Sequence, residues 1–169
     1  LNKPRDSTLR QDYLALTESV GLFDRSQVGR LDVSGADGVD LLNRLSTNDL
    51  TSLSTGQMIP TILTSNKGRI LDLLYVLGLQ GALLVFTGSS NRRKVMEWID
   101  FYTIAEDVSI RDITNETAML SLVGPRALEF LIDLAPSESS QLNLHQATES
   151  SIGESPVTIV RTDCFGLPG

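Results

Sequence analysis

The sequence predicts an α+β fold, in which antiparallel sheets and helices form two layers. Short runs of β-branched, leucine and aromatic residues are separated by turns, and the shortest turns fit hairpins. Between these runs lie segments whose apolar residues recur every three or four positions, as in amphipathic helices. Contiguous βαβ units and a repeat of roughly twenty to fifty residues are both absent, which excludes a parallel sheet and a solenoid.

The first third of the chain predicts helix, strand and helix. Apolar residues at helical spacing indicate a helix over 9–20, which Gly21 ends. Alternation over 28–33 predicts a short strand. A second helix is expected over 37–45, opened by a capping box in which the Ser34 hydroxyl and the Asp37 carboxylate satisfy free N–H groups. The short polar side chains of 46–49 predict a turn.

The middle of the chain predicts strands followed by a helix. Residues 58–64 are expected to form a strand with Pro60 near its start, which suits either an edge strand or an irregular entry into the sheet. The next strand begins near Arg69, runs to residue 79 and forms a hairpin with 82–87. A helix follows over 91–102, with caps supplied by the preceding G-S-S-N.

The last third predicts less regular structure. Strands are expected over 108–113, 117–123 and 157–160, and a helix over 126–135. The polar composition of 136–156 indicates a loop or mobile linker.

Asp72 is the most unusual residue of this pattern. Strand alternation places it on one face with Ile70, Leu74 and Val76, so a charged group lies among apolar neighbours. A buried ionised carboxylate is costly without a partner. Two explanations remain open: Arg69, Lys67 or backbone N–H groups hold it, or a ligand does.

Composition excludes several classes of function. The 169 residues are 41% hydrophobic and 21% charged, and no apolar run approaches a membrane span, so we expect a soluble protein. The net charge of −7 argues against nucleic-acid binding. The chain has one cysteine, Cys164, so it cannot form an intrachain disulfide. With one histidine, His145, it offers no clustered metal site of the Cys/His type and little basis for nucleophilic catalysis. A reducing compartment follows, either cytoplasm or organellar stroma or matrix. The basic run 92–94 is either a solvated face or a contact for an anion.

Six short motifs follow one another along the chain: D-R-S-Q-V-G-R-L-D-V-S-G-A-D (24–37), T-N-D-L (47–50), G-Q (56–57), K-G-R-I-L-D-L (67–73), E-D-V-S-I-R-D (106–112) and G-P-R-A (124–127). Taken together and in this order, they resemble one superfamily, that of the glycine cleavage system T-protein (aminomethyltransferase) and the related YgfZ-like folate-binding proteins.

The resemblance implies a tetrahydrofolate site with Asp72 as its central residue. Asp72 would bind the reduced pterin ring, orient its reactive nitrogen and act in catalysis. The remaining predicted pterin contacts, mostly apolar walls, are Val28, Leu74, Val76, Val85 and Thr87.

Three departures from the T-protein pattern put aminomethyl transfer in question. Thr87 replaces an asparagine, Ile59 and Pro60 stand where a tyrosine is usual, and Gly166 with Leu167 replaces a Gly-Glu pair. The K-G-R corner is closer to the YgfZ-like branch.

The resemblance also implies an organisation. We expect a T-protein-like folate-binding fold with a ferredoxin-like sub-domain. Residues 1–52 and 114–169 would form a first sub-domain, and 53–113 an inserted second one. The C-terminal barrel domain of the family would lie beyond this chain, which we expect to be the front part of a longer protein.

Three functions follow as expectations. The first is a folate-binding protein that assists iron–sulfur cluster assembly or repair, or tRNA modification, with an iron–sulfur protein as partner. The second is an aminomethyltransferase, which passes a one-carbon unit from a lipoyl carrier protein to tetrahydrofolate. The third is a binding module that kept the fold without folate activity.

Overall fold

The computed structural model describes residues 4–135, 141–164 and 167–168, with side chains over 9–135 and 141–163. Its helices are α1 (Pro4–Glu18), α2 (Gly38–Leu45), α3 (Arg92–Tyr102) and α4 (Ala127–Leu134). Its strands are β1 (Gly21–Asp24), β2 (Gly29–Ser34), β3 (Met58–Thr64), β4 (Ile70–Leu79), β5 (Ala82–Thr87), β6 (Ser109–Asp112), β7 (Leu120–Val123), β8 (Ala147–Ile152), β9 (Ser155–Val160), β10 (Asp163–Cys164) and β11 (Leu167–Pro168).

The chain forms two compact units. One is Ser26–Met119, and the other combines the residues up to Arg25 with those from Leu120 onward. These units begin and end at other residues than the sub-domains expected from the resemblance. The reason is that β2 pairs with both β5 and β6, so residues 29–34 lie in the same sheet as the inserted segment. The boundaries near 53 and 113 remain a prediction about the family's sub-domains.

The unit Ser26–Met119 is built on one five-stranded antiparallel sheet. The strand order is β3-β4-β5-β2-β6, which places the proline-containing strand β3 at an edge. This confirms the antiparallel α+β prediction and the predicted hairpin of β4 and β5. Helices α2 and α3 supply core residues together with one face of the sheet. The fully buried side chains include Leu31, Val33, Leu41, Leu42, Leu63, Leu74, Val76, Val85, Val95 and Ile99.

The second unit holds shorter pairings. Strand β1 pairs with β7, β8 with β9, and β10 with β11, all antiparallel. Its small core consists of Ala135, Leu142 and Ile159, with Leu131 and Val157 against it. The turn into α4 is tight. Gly124 has a φ of 131°, and a Cβ there would lie 2.5 Å from the carbonyl oxygen of Ser19, so glycine is required.

One expectation about the second unit is wrong, and one of its strands was not predicted. The predicted loop over 136–156 contains strand β8 and the start of β9, joined by a turn in which Gly153 has a φ of 62°. Exposed Glu149 and Ser151 alternate with half-buried residues along β8, but the half-buried set includes polar Thr148 and Ser150, so composition concealed the strand. Residues 136–140 of that range lie outside the described residues. Strand β1 was not expected either, because its four residues are ordered by pairing with the distant β7.

The predicted capping box is also absent. Ser34 is the last residue of β2, and Asp37 occupies the cap position of α2 without a side-chain capping bond. The Asp37 carboxylate instead accepts the backbone N–H of Asp107 at 2.8 Å. A contact seventy residues away has therefore displaced a local one.

No helix within the described residues is long and apolar enough to cross a membrane.

Candidate functional site

The candidate site lies at one end of the five-stranded sheet. There β4 begins, β5 ends and α3 begins, and these three elements bring together Asp72, Thr87, Gly88 and Asn91. The residues are as many as nineteen positions apart in sequence, so the hairpin and the following turn are what place them side by side.

A bulge at the start of β4 sets the direction of the Asp72 side chain. Leu63 pairs with Asp72 and Thr64 with Ile70, which leaves Leu71 as an extra residue in the ladder. Asp72 keeps the inward direction of Leu74. Ile70 does not: it is 69% exposed, so its predicted place on the same face is wrong. The bulge reverses the alternation between the two positions.

The Asp72 carboxylate is half-buried and held by three neutral donors. The Thr87 hydroxyl donates to Oδ2, and the Gly88 backbone N–H donates to the same oxygen at 2.8 Å. The Asn91 Nδ2 donates to Oδ1 at 3.1 Å. Asp72 takes part in none of the ion pairs found between described residues. Of the protein partners expected for it, the backbone N–H is therefore present, while Arg69 and Lys67 do not hold it.

Thr87 is packed tightly behind this carboxylate. It is 3% exposed and pairs with Gly29 across the β2–β5 ladder. A Cβ on Gly29 would lie 2.5 Å from the Thr87 Cγ2, so the two strands approach this closely only because residue 29 has no side chain. The threonine methyl is thus wedged against β2, which points its hydroxyl at Asp72.

Asn91 is the residue that sequence reasoning missed. It stands at the cap position of α3, where a cap was expected, yet its side chain makes no capping hydrogen bond. The amide nitrogen faces β4 instead, with the Asp72 Oδ1 at 3.1 Å and the Leu71 carbonyl oxygen at 3.4 Å. Nothing local distinguishes this asparagine from an ordinary cap, because its partners are fixed by tertiary structure.

The predicted apolar wall has a different role. Leu74, Val76 and Val85 have none of their surface exposed and pack in the core between the sheet and the helices. A side chain so enclosed has no surface left for a ring, and we no longer include these three in the site. Val28 is half-buried and directly precedes Gly29, so it lies at the same end of the sheet as Thr87.

The basic residues at the start of α3 are mostly engaged within the protein. Arg92 forms an ion pair with Asp112 at 2.8 Å, and Arg93 pairs with Glu97 at 2.7 Å. Burial acts to raise the pKa of the Asp112 carboxyl, but hydrogen bonds from Thr114 and the nearby arginine charges lower it below its ordinary value. These pairs favour the structural explanation for Arg92 and Arg93.

The remaining positions are placed as follows. Ile59 and Pro60 lie on β3, and the backbone of Leu167 pairs with that of Cys164. Gly166 and the side chains of Cys164 and Leu167 lie outside the part of the chain that is described. Within the described part, no group of three or more His, Cys, Asp or Glu side chains could hold a metal ion.

Comparison with known proteins returns one family. The family of the GCVT N-terminal domain matches residues 2–166. Relatives named aminomethyltransferase include one from Bacillus pumilus, 29% identical over 165 residues, and one from Shouchella clausii, 32% identical. Each alignment covers 96% of this chain but 45% of the relative, so the chain spans about half the length of these proteins.

Solved structures support the fold. The glycine cleavage system aminomethyltransferase T from Bartonella henselae superposes with a TM-score of 0.82 over 94% of this chain and 42% of that one, at 22% identity. A heterotetrameric sarcosine oxidase from Corynebacterium gives a TM-score of 0.64 over 96% and 82%, at 17% identity. At these identities the similarity extends to the fold alone.

Proposed function

We propose, from the premise that the chain belongs to the family of the GCVT N-terminal domain, that it forms the tetrahydrofolate-binding part of an aminomethyltransferase. The observation that carries the proposal is the Asp72 carboxylate, which three neutral donors hold in place while no described cation neutralises it. Among the expected functions, relatives named aminomethyltransferase favour this one over assistance to iron–sulfur proteins.

Asp72 retains the capacity to bind a further donor. An ionised carboxylate offers about four acceptor sites, two on each oxygen. Two described donors reach Oδ2, but Oδ1 receives only the Asn91 amide. The remaining site on Oδ1 can accept an N–H group of a reduced pterin ring. Accepting that bond raises the electron density on the ring and stabilises positive charge as a one-carbon group arrives.

Thr87 would serve this site indirectly. Its hydroxyl is already committed to Asp72 and its methyl to the contact with β2, so it has little capacity left for the pterin edge. In this proposal Thr87 therefore positions the carboxylate. Val28, half-buried beside Gly29, is the one predicted apolar contact that keeps exposed surface at this end of the sheet.

In the proposed reaction the methylene carbon of an aminomethyl group, carried on a thiol of a carrier protein, passes to tetrahydrofolate. Its bonds to the thiol sulfur and to the amine nitrogen break, and two carbon–nitrogen bonds to tetrahydrofolate form. The two displaced N–H protons of tetrahydrofolate leave on ammonia and on the regenerated thiol. Asp72 would orient the accepting nitrogen and take up its proton as the new carbon–nitrogen bond forms. A lipoyl carrier protein is the proposed partner.

The test is calorimetric titration of the purified protein with tetrahydrofolate under oxygen-free conditions. We expect Asp72→Asn to weaken binding by at least about tenfold, because a charged acceptor is replaced by a neutral amide. The matched control is Asp100→Asn, which removes the same charge from an exposed position on α3. Equal affinity of wild type and Asp72→Asn would exclude the proposed role. A wild type that binds no tetrahydrofolate would favour the binding-module alternative.

A further inference from the structure

We infer that Asn91 is a positioning residue, which sets the plane of the Asp72 carboxylate and so determines which donor that carboxylate can accept. The inference deepens the proposed function and rests on it. Asn91 is not assigned any contact with the substrate.

The three donors are distributed unevenly over the two oxygens of the Asp72 carboxylate. Thr87 and Gly88 both donate to Oδ2, so together they fix one oxygen only. Rotation about the terminal torsion of an aspartate is broad and has weak preferences. A carboxylate held at one oxygen can still turn, and the Asn91 amide is the described donor that fixes the other.

The neighbours of the Asn91 amide fix which of its two ends faces β4. Both described neighbours of its nitrogen, the Asp72 Oδ1 and the Leu71 carbonyl oxygen, are acceptors. The nitrogen must therefore face β4, which settles the choice between the two ends of the amide. Because Leu71 is the bulge residue, the same side chain links the start of α3 to the irregularity that aims Asp72 inward.

The Asn91 side chain does not cap its own helix. Asparagine at the first position of a helix ordinarily accepts a backbone N–H with its side-chain oxygen. No such bond forms at α3. The side chain is thus used for Asp72 and the bulge rather than for the helix, which separates its positioning role from a capping role.

Because Asn91 makes no capping bond, a substitution can disturb its contact with Asp72 without removing a helix cap. In Asn91→Asp the new carboxylate is as good a helix cap as asparagine. However, it cannot donate to Asp72 while both groups are ionised, and the two like charges repel. We expect the variant to fold and to bind tetrahydrofolate about tenfold more weakly at pH 8. We further expect this difference from wild type to shrink as the pH falls, because a proton shared between the two carboxyl groups removes the repulsion and restores a donor. Because Asn91→Asp itself adds a titratable group beside Asp72, its pH profile reports the contact between the two side chains, and the loss of positioning is tested by a variant that adds no charge.

Two further variants complete the design. Asn115→Asp adds the same charge at an exposed loop position and should bind like wild type, which controls for repulsion of the anionic ligand. Asn91→Ser adds no charge, keeps a residue type that is common at the cap position, and has a hydroxyl too short to hold Oδ1 in the same way. It should weaken binding severalfold at every pH.

The readouts are the dissociation constant between pH 5 and 8, and the carboxyl ¹³C chemical shift of Asp72 at pH 8 in the ligand-free protein. Both Asn91 variants should change that chemical shift, because the hydrogen bond to Oδ1 is lost. If both Asn91 variants bind like wild type while Asp72→Asn is impaired, the positioning role is refuted and the proposed function stands. If wild type binds no tetrahydrofolate, both fall. A changed Asp72 chemical shift would then record only the contact between the two side chains.

Discussion

The close approach of β2 and β5 at the candidate site makes a quantitative prediction for Gly29→Ala. The added Cβ would lie 2.5 Å from the Thr87 Cγ2 and 3.3 Å from the Cβ and Cγ of Arg92. Carbon atoms in contact normally lie about 3.5–4.0 Å apart, so at least one neighbour must move by about 1 Å. Overpacking of this kind costs about 1–3 kcal/mol, and the loss of glycine flexibility in the unfolded chain offsets about 0.4–1 kcal/mol. We expect a net loss of about 1–2 kcal/mol in the free energy of unfolding.

The measurement is urea denaturation followed by circular dichroism, with Gly38→Ala as the control. A Cβ on Gly38 would meet its nearest neighbours at 3.6 and 3.7 Å, which is ordinary contact, so that variant should lose no stability and should gain up to about 1 kcal/mol from the unfolded chain. Thr87→Ser removes the obstructing methyl and keeps the hydroxyl. The double variant Gly29→Ala with Thr87→Ser should therefore be about 1 kcal/mol more stable than the sum of the single changes. Additivity within about 0.3 kcal/mol would show that the Thr87 methyl is not the obstacle.

Two other predictions concern the same unit. Glu106 accepts hydrogen bonds from Arg44 and from the backbone N–H groups of Ile104 and Ala105, which together lower its pKa to about 2 from an ordinary 4.5. Its stabilising effect is therefore complete above pH 4.5 and is lost as the pH falls towards 2. In thermal denaturation, Glu106→Gln should have a lower melting temperature than wild type at pH 7, and the gap should narrow below pH 4.5 and close towards pH 2. The exposed Glu149→Gln should show no such gap, and a gap that persists at pH 2 would contradict the assignment. Leu74→Ala should cost about 2–5 kcal/mol of unfolding free energy, because Leu74 is fully buried. Its neighbour Leu73 is 48% exposed on the opposite face, and Leu73→Ala should cost less than about 1 kcal/mol in urea denaturation. Similar losses for the two variants would contradict the strand orientation.

The elements predicted well are those with a strong local pattern. Strands β3 and β5 begin and end where alternation and turn residues indicated, and α3 begins within one residue of its predicted start. In each of these elements, the spacing of the apolar residues in the sequence agrees with the spacing of the buried residues in the structure. The predicted fold class follows from these elements, since hairpins with helices between them leave few other arrangements.

The features that escaped prediction depend on distant partners. Strand β1 exists because β7 pairs with it, and the cap of α2 is changed by a contact with Asp107. The bulge at Leu71 needs the register of the β3–β4 pair, which no single segment encodes. For the site, the sequence singled out Asp72 and Thr87, but it also offered core residues as ligand contacts. Alternation identifies the inward face of a strand without showing how far the adjacent helices cover it.

The choice of partners for Asp72 separates a structural carboxylate from one suited to bind a ligand. Arginine or lysine beside it would cancel the charge, and its field would then extend little beyond the pair. Three neutral donors fix the oxygens yet leave the negative charge in place, so a polar ligand at this end of the sheet meets a carboxylate that is both oriented and unneutralised. The arrangement has a cost in folding, because a half-buried carboxylate keeps its charge without a cation beside it. The same arrangement favours binding, because the carboxylate needs no reorganisation when a donor with developing positive charge arrives. If Asp72→Asn leaves both the free energy of unfolding and tetrahydrofolate affinity unchanged, the three neutral donors neither stabilise the fold through Asp72 nor prepare it for a ligand, and the proposed role is excluded.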